Sequence, residues 1–100
     1  MRIHNVIGSS KISAKPPKPY GSWLSYWEDK AESKLDEKTQ YKCPACGAAT
    51  FRRNFDGCHV QKLSFMDKSW YIVPLCSSCN HRTDSFNVDN VPLVPVPSNL

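Results

Sequence analysis

Four cysteines in two pairs, Cys43-Pro44-Ala45-Cys46 and Cys76-Ser77-Ser78-Cys79, are the residues of this sequence best suited to chemistry. Cys-x-x-Cys spacing lets one tight turn present two thiolates to a single ion. Two such pairs complete the four soft ligands of a tetrahedral zinc site. Metal binding and thiolate deprotonation are coupled, so a structural Zn2+ would contribute folding free energy on the order of 10 kcal/mol in apparent terms. Gly47 follows Cys46 directly and permits the positive φ that such a knuckle needs after its second ligand. The expected metal ligands are therefore Cys43, Cys46, Cys76 and Cys79. Redox chemistry would need only one of the pairs. The fifth cysteine, Cys58, has no partner at knuckle spacing and fits a small buried side chain.

The elements that must bring these pairs together can be outlined from the sequence. Twenty-nine residues separate Cys46 from Cys76, more than a simple zinc ribbon allows and enough for a hairpin between a knuckle and a helix. The segments HVQKLSF and WYIVPL are rich in strand formers, and Met66-Asp67-Lys68-Ser69 is the expected loop between them. That loop would place His59 opposite Cys76. After Cys76, Ser77 or Ser78 is a candidate N-cap for a short helix. Knuckle, hairpin and helix in this order predict a small zinc-stabilised α+β domain of the treble-clef type. An added N-terminal helix is expected from Trp23 to Lys34. Ser22 would cap it, Trp23 and Trp27 would share a face with Leu24 and Ala31, and acids precede bases along it.

The flanks differ in composition. Residues 1–21 are expected to form a flexible basic arm, with a short extended piece from Ile3 to Ile7. Residues 22–90 are the expected zinc-binding domain, and residues 91–100 a Pro-rich tail with an edge strand near Leu93–Val96. The net charge is +4, and all of the excess lies in residues 1–22, where Arg2, Lys11, Lys15 and Lys18 stand without an acid. Such an arm could follow a phosphate backbone or serve solubility alone. There is no apolar run of about 18 residues and no secretion-type leader, so no membrane association and an intracellular, cytoplasmic site are expected. Five cysteines in a reducing compartment favour metal over disulfides.

The runs CPAC, DGCHV and YIVPLCSSCN together resemble the four-cysteine HNH endonucleases over residues 43–85. A second likeness covers most of the chain: small proteins with a Trp-rich SWLxYWE segment, a G-x-H-V step and a YIVPLCxxCN run, a group that implies no established activity. The HNH likeness implies a treble-clef ββα-metal core in which His59 is the general base on the attacking water and Asn80 helps hold a second divalent cation. Arg82 would contact phosphate. Such metal-assisted phosphodiester hydrolysis needs a base, a hard-cation site and positive charge at the phosphorane. The sequence departs from the family pattern at two points. Cys58 replaces the acidic ligand before the His, and a thiol is a poor ligand for magnesium. No Asn occurs in residues 60–75, where the middle motif residue belongs.

Three functions follow. The first is a zinc-binding, HNH-like module with a degenerate catalytic site that binds DNA, RNA or another protein, with Arg52, Arg53 and Arg82 as candidate nucleic-acid contacts. The second is a metal-dependent endonuclease using His59 and Asn80. The third is a protein-interaction adaptor presenting Trp23, Trp27 and the proline-rich tail. The structural alternatives are a His59 hydrogen-bonded beside the knuckle, an Asn80 capping a turn, and arginines on a solvated face.

Overall fold

The computed structural model describes residues 1–6 and 15–97. Its elements are β1 (Arg2–Asn5), α1 (Trp23–Lys30), β2 (Gln40–Lys42), β3 (Ala49–Phe51), a 3-10 turn at Arg52–Asn54, β4 (Phe55–Lys62), β5 (Tyr71–Cys76), α2 (Ser77–Asn80), β6 (Ser85–Asn87) and β7 (Val94–Pro95). The result is a small α+β domain. A five-stranded sheet of order β6-β1-β4-β5-β7 pairs antiparallel throughout, and β2-β3 form a separate ribbon.

Side chains alternate across the long hairpin β4-β5, so the sheet buries both faces. On one, Ile3, Cys58, Val60, Val73, Leu75, Phe86 and Val88 pack into a cluster that also contains Cys43 and Cys79. On the other, Tyr26 and Trp27 of α1 cover Ile72 and Val94. The Trp27 indole N–H donates to Pro92 O at 2.9 Å, which ties the proline-rich segment to α1. The edge strand expected near Leu93–Val96 is β7, paired with Tyr71 and Ile72.

Several expectations are corrected. The first residues of the expected arm are not free: β1 sits between β4 and β6, with Ile3 fully buried. Residues 7–14, which hold the end of the expected extended piece and the middle of the expected arm, lie outside the described residues, as do residues 98–100. Ser22 does cap α1, its side chain accepting from Ser25 N, but the helix stops at Lys30 instead of Lys34. The cause is a Schellman motif. Ser33 N donates to Glu28 O and Glu32 N to Asp29 O, with Glu32 at φ 52°.

The β4-β5 hairpin is shifted from its expected register. Phe55 faces Cys76, Gly57 faces Pro74, and His59 faces Ile72. Polar side chains build a longer connection than the expected four-residue loop. Ser64 Oγ accepts from Met66 N at 3.1 Å, and Asp67 takes Ser69 N at 2.9 Å and the Tyr71 hydroxyl at 2.6 Å. The apex therefore falls between Phe65 and Met66. At the far end of β5, the N-cap of α2 is Cys76, which makes no side-chain cap bond, and not Ser77 or Ser78. Among the described residues no helix is long and apolar enough to cross a membrane.

Candidate metal centre

Each cysteine pair is delivered by the end of a strand. Cys43 follows β2, and the chain reverses at once: Gly47 N donates to Cys43 O at 2.8 Å and Cys43 N to Ala48 O at 2.9 Å. Gly47 has φ 78°, the left-handed conformation expected of it. Cys76 ends β5 and Cys79 lies one turn on in α2. The four sulfurs lie within 4.8 Å of one another. Cys46 Sγ and Cys76 Sγ are 3.8 Å apart. A tetrahedron of sulfurs around an ion at about 2.3 Å has edges of about 3.8 Å, so the group can hold a metal ion. All five cysteines are free, and Cys58 stands outside the group, as expected.

The surroundings suit a structural ion. Cys43 is 2% exposed and Cys79 3%, both set in the core, whereas Cys46 is exposed. Burial raises the Cys43 thiol, but the backbone N–H groups of Cys76, Cys46 and Ala45 outweigh it and bring the pKa down to about 7. Amides aimed at a sulfur stabilise a thiolate. Burial pushes the Cys79 and Cys76 thiols up, and the neighbouring sulfurs add to the rise. Four thiolates cannot share this space without a cation, and a bound cation reverses that penalty. Burial also holds Cys58 strongly protonated, with its thiol on Asp56 O at 3.3 Å.

Two supports of the centre were not foreseen from the sequence. Asn5 of β1 is 7% exposed, and its amide donates to Cys79 O and Arg82 O, both at 3.0 Å, fastening the end of α2 to the sheet. Its buried Oδ1 has no partner among the described residues. Arg52, after the ribbon, donates through Nη2 to Glu28 Oε1 at 2.7 Å and through Nε to Glu28 Oε2 at 3.0 Å. Leu35 N adds a third bond to that carboxylate at 2.7 Å. Burial opposes ionisation of Glu28, but Arg52 and Leu35 prevail and lower its pKa. This pair locks α1 to the knuckle side of the fold. Asn5 left no local sequence signal. The Glu28–Arg52 pair left only complementary charges 24 residues apart.

The other expected site residues do not converge. His59 packs edge-on against Trp23 and Trp70, with ring centroids 4.9 and 6.0 Å away. Its partner across the sheet is Ile72, not Cys76. Asn80 donates to Asp56 Oδ2 at 3.3 Å. Arg82 pairs with Asp84 through two bonds of 2.9 and 2.6 Å, and its guanidinium lies over Phe86. Arg52 is occupied by Glu28, and Arg53 is exposed over the Phe51 ring. His81 is exposed, and His4 lies in β1. No family model, curated protein or solved structure matches this chain.

Proposed function

We propose that this chain is a zinc-stabilised recognition module of the HNH-like, treble-clef kind, with a degenerate catalytic site, whose partner is nucleic acid or another protein. The observation that carries it is the meeting of two thiol pairs, distant in sequence, within 4.8 Å. Four sulfur donors, two of them buried in the core, favour zinc in a structural role, because a catalytic zinc keeps one position open for water or substrate. Zinc would fix the knuckle against the end of β5 and the start of α2.

Two features support degeneracy. The imidazole of His59, which the HNH resemblance makes the base, is packed among aromatic rings away from α2. Cys58, where that family has an acidic ligand, is buried and protonated. The test has two parts. Metal analysis of the purified chain should give one zinc per chain, and chelation should abolish cooperative unfolding. Plasmid nicking with magnesium, manganese or nickel should be absent. A metal-free chain that keeps its fold refutes the module, and nicking that His59→Ala abolishes establishes the nuclease instead.

A further inference from the structure

Among the described residues, the apex of the β4-β5 hairpin carries the two most exposed large apolar side chains. Phe65 is 84% exposed and Met66 83%, with Leu63 at 50% beside them. The loop is nonetheless ordered by its own bonds: Ser64 Oγ takes Met66 N, Asp67 takes Ser69 N, and Gln61 Nε2 donates to Lys68 O at 2.9 Å. Holding two large apolar side chains in water on a fixed turn gains the fold nothing. Adjoining Phe65 is an open hollow of about 470 Å³ lined by His4, Lys62, Leu63, Ser64, Phe65 and Lys68. Its lining holds two lysines and a histidine and no carboxylate. The one acid of the loop, Asp67, accepts from the Tyr71 hydroxyl on the same Oδ2 that pairs with Lys62 Nζ at 3.7 Å, which leaves Lys68 as the lysine of the hollow with no ion pair among the described residues.

We propose that this apex binds single-stranded nucleic acid, with a base stacked on Phe65 beside Met66 and the adjoining phosphate in the hollow between Lys62, Lys68 and His4. The inference rests on reading the chain as a recognition module and names that module's partner and contact. Ring and anion seat share one hollow, as base and phosphate share one nucleotide. A base offers its face to a protruding ring only when it is unstacked, which selects a single strand over a duplex. One ring and one thioether suffice for a base or two. They are small against the apolar area or lipid chains by which peripheral proteins hold a bilayer.

The experiment is a fluorescence-anisotropy titration of the full, zinc-loaded chain against a labelled oligothymidylate of about 12 nucleotides, within the usual range of strand sites. Phe65→Ala should weaken binding about tenfold and leave its salt dependence unchanged. Lys68→Gln should lower the slope of log affinity against log salt by about 0.7. Both side chains are exposed, so zinc content and unfolding midpoint, measured on the same samples, should match the parent. Equal binding by parent and Phe65→Ala overturns the apex site and leaves the module reading intact. Parent protein that retains zinc but ignores the oligonucleotide overturns it too, whether or not it captures vesicles of phosphatidylserine and phosphatidylcholine.

Discussion

Replacing Gly57 with alanine should unseat α1 without touching the metal ligands. A Cβ at Gly57 would lie 2.5 Å from Leu24 N and from the Trp23 carbonyl carbon, and 2.9 Å from Trp23 Cβ. Ordinary contact begins at 3.4 Å, so the first turn of α1 must withdraw by about 0.9 Å. The obstructing atoms are mostly backbone and have no rotamer by which to escape. Overpacking of this kind costs about 1–3 kcal/mol, and the rigidity of the obstacle places Gly57→Ala at the upper end. For a domain of this size each kcal/mol moves the melting midpoint by about 4–8 °C, so a fall of roughly 10–20 °C is expected.

Two other glycines separate this steric cost from backbone effects. Gly21 has no atom within 4 Å of its would-be Cβ and no left-handed φ, so Gly21→Ala should be neutral or stabilise by about 0.4–1 kcal/mol. Gly47 also has open space but stands at φ 78°, so Gly47→Ala meets conformational strain alone, about 1–2 kcal/mol, and should weaken metal retention as well. Urea unfolding followed by tryptophan fluorescence, with zinc measured in parallel, ranks the three. The packing of α1 on β4 described above is refuted if Gly57→Ala is as stable as Gly21→Ala.

Arg52→Ala should destabilise by about 2–3 kcal/mol, below the full cost of breaking a buried pair because the Arg52 side chain is 24% exposed while that of Glu28 is 8% exposed. Adding Glu28→Gln should recover part of the loss, and a double-mutant cycle measures how much. Burial lowers the His59 pKa, so below about pH 6.5 the unfolded chain takes up a proton that the folded chain resists. Stability should therefore be complete above that pH and fall as pH drops toward the folded value. Unfolding curves of His59→Gln between pH 7.5 and 5.5 should be flatter than the parent's, and parallel profiles would contradict the burial. Glu32→Gly places glycine at the left-handed end of α1 and should raise stability by about 0.5–1 kcal/mol in the same unfolding assay.

Sequence reasoning succeeded where a residue's role depends on its immediate neighbours. Two thiols three positions apart, a glycine after the second, and a serine before a Trp-rich amphipathic run each carry a local geometric meaning, and each is found as expected. It failed where a distant partner decides. β1 is placed by Val60, Gln61 and Lys62 on one side and Ser85–Asn87 on the other, so its sparse lysine-bearing surroundings suggested an arm. The end of α1 is the local exception, since it depends on Glu32 adopting a left-handed conformation that its side chain disfavours. Asn5 is a strand residue whose amide serves carbonyls more than 70 positions away.

The register error has one cause and two consequences for function. Phe65 favours strands, so its propensity argued for placing it inside β4 and moving the loop toward Ser69. The loop's own side-chain bonds favour a wider turn instead, and the apex retreats to Phe65–Met66. Because the shift is even, each side chain keeps its face of the sheet. Position along the strand does change. His59 now lies four pairs from the Phe55–Cys76 pair, roughly 13 Å at the rise of an extended chain. What remains beside α2 is the carboxylate of Asp56 held by the Asn80 amide. The same retreat lifts two apolar side chains into solvent above a basic hollow. One change of register thus accounts for both features: His59 stands away from the cysteine end of the hairpin, and Phe65 and Met66 stand exposed at the opposite end.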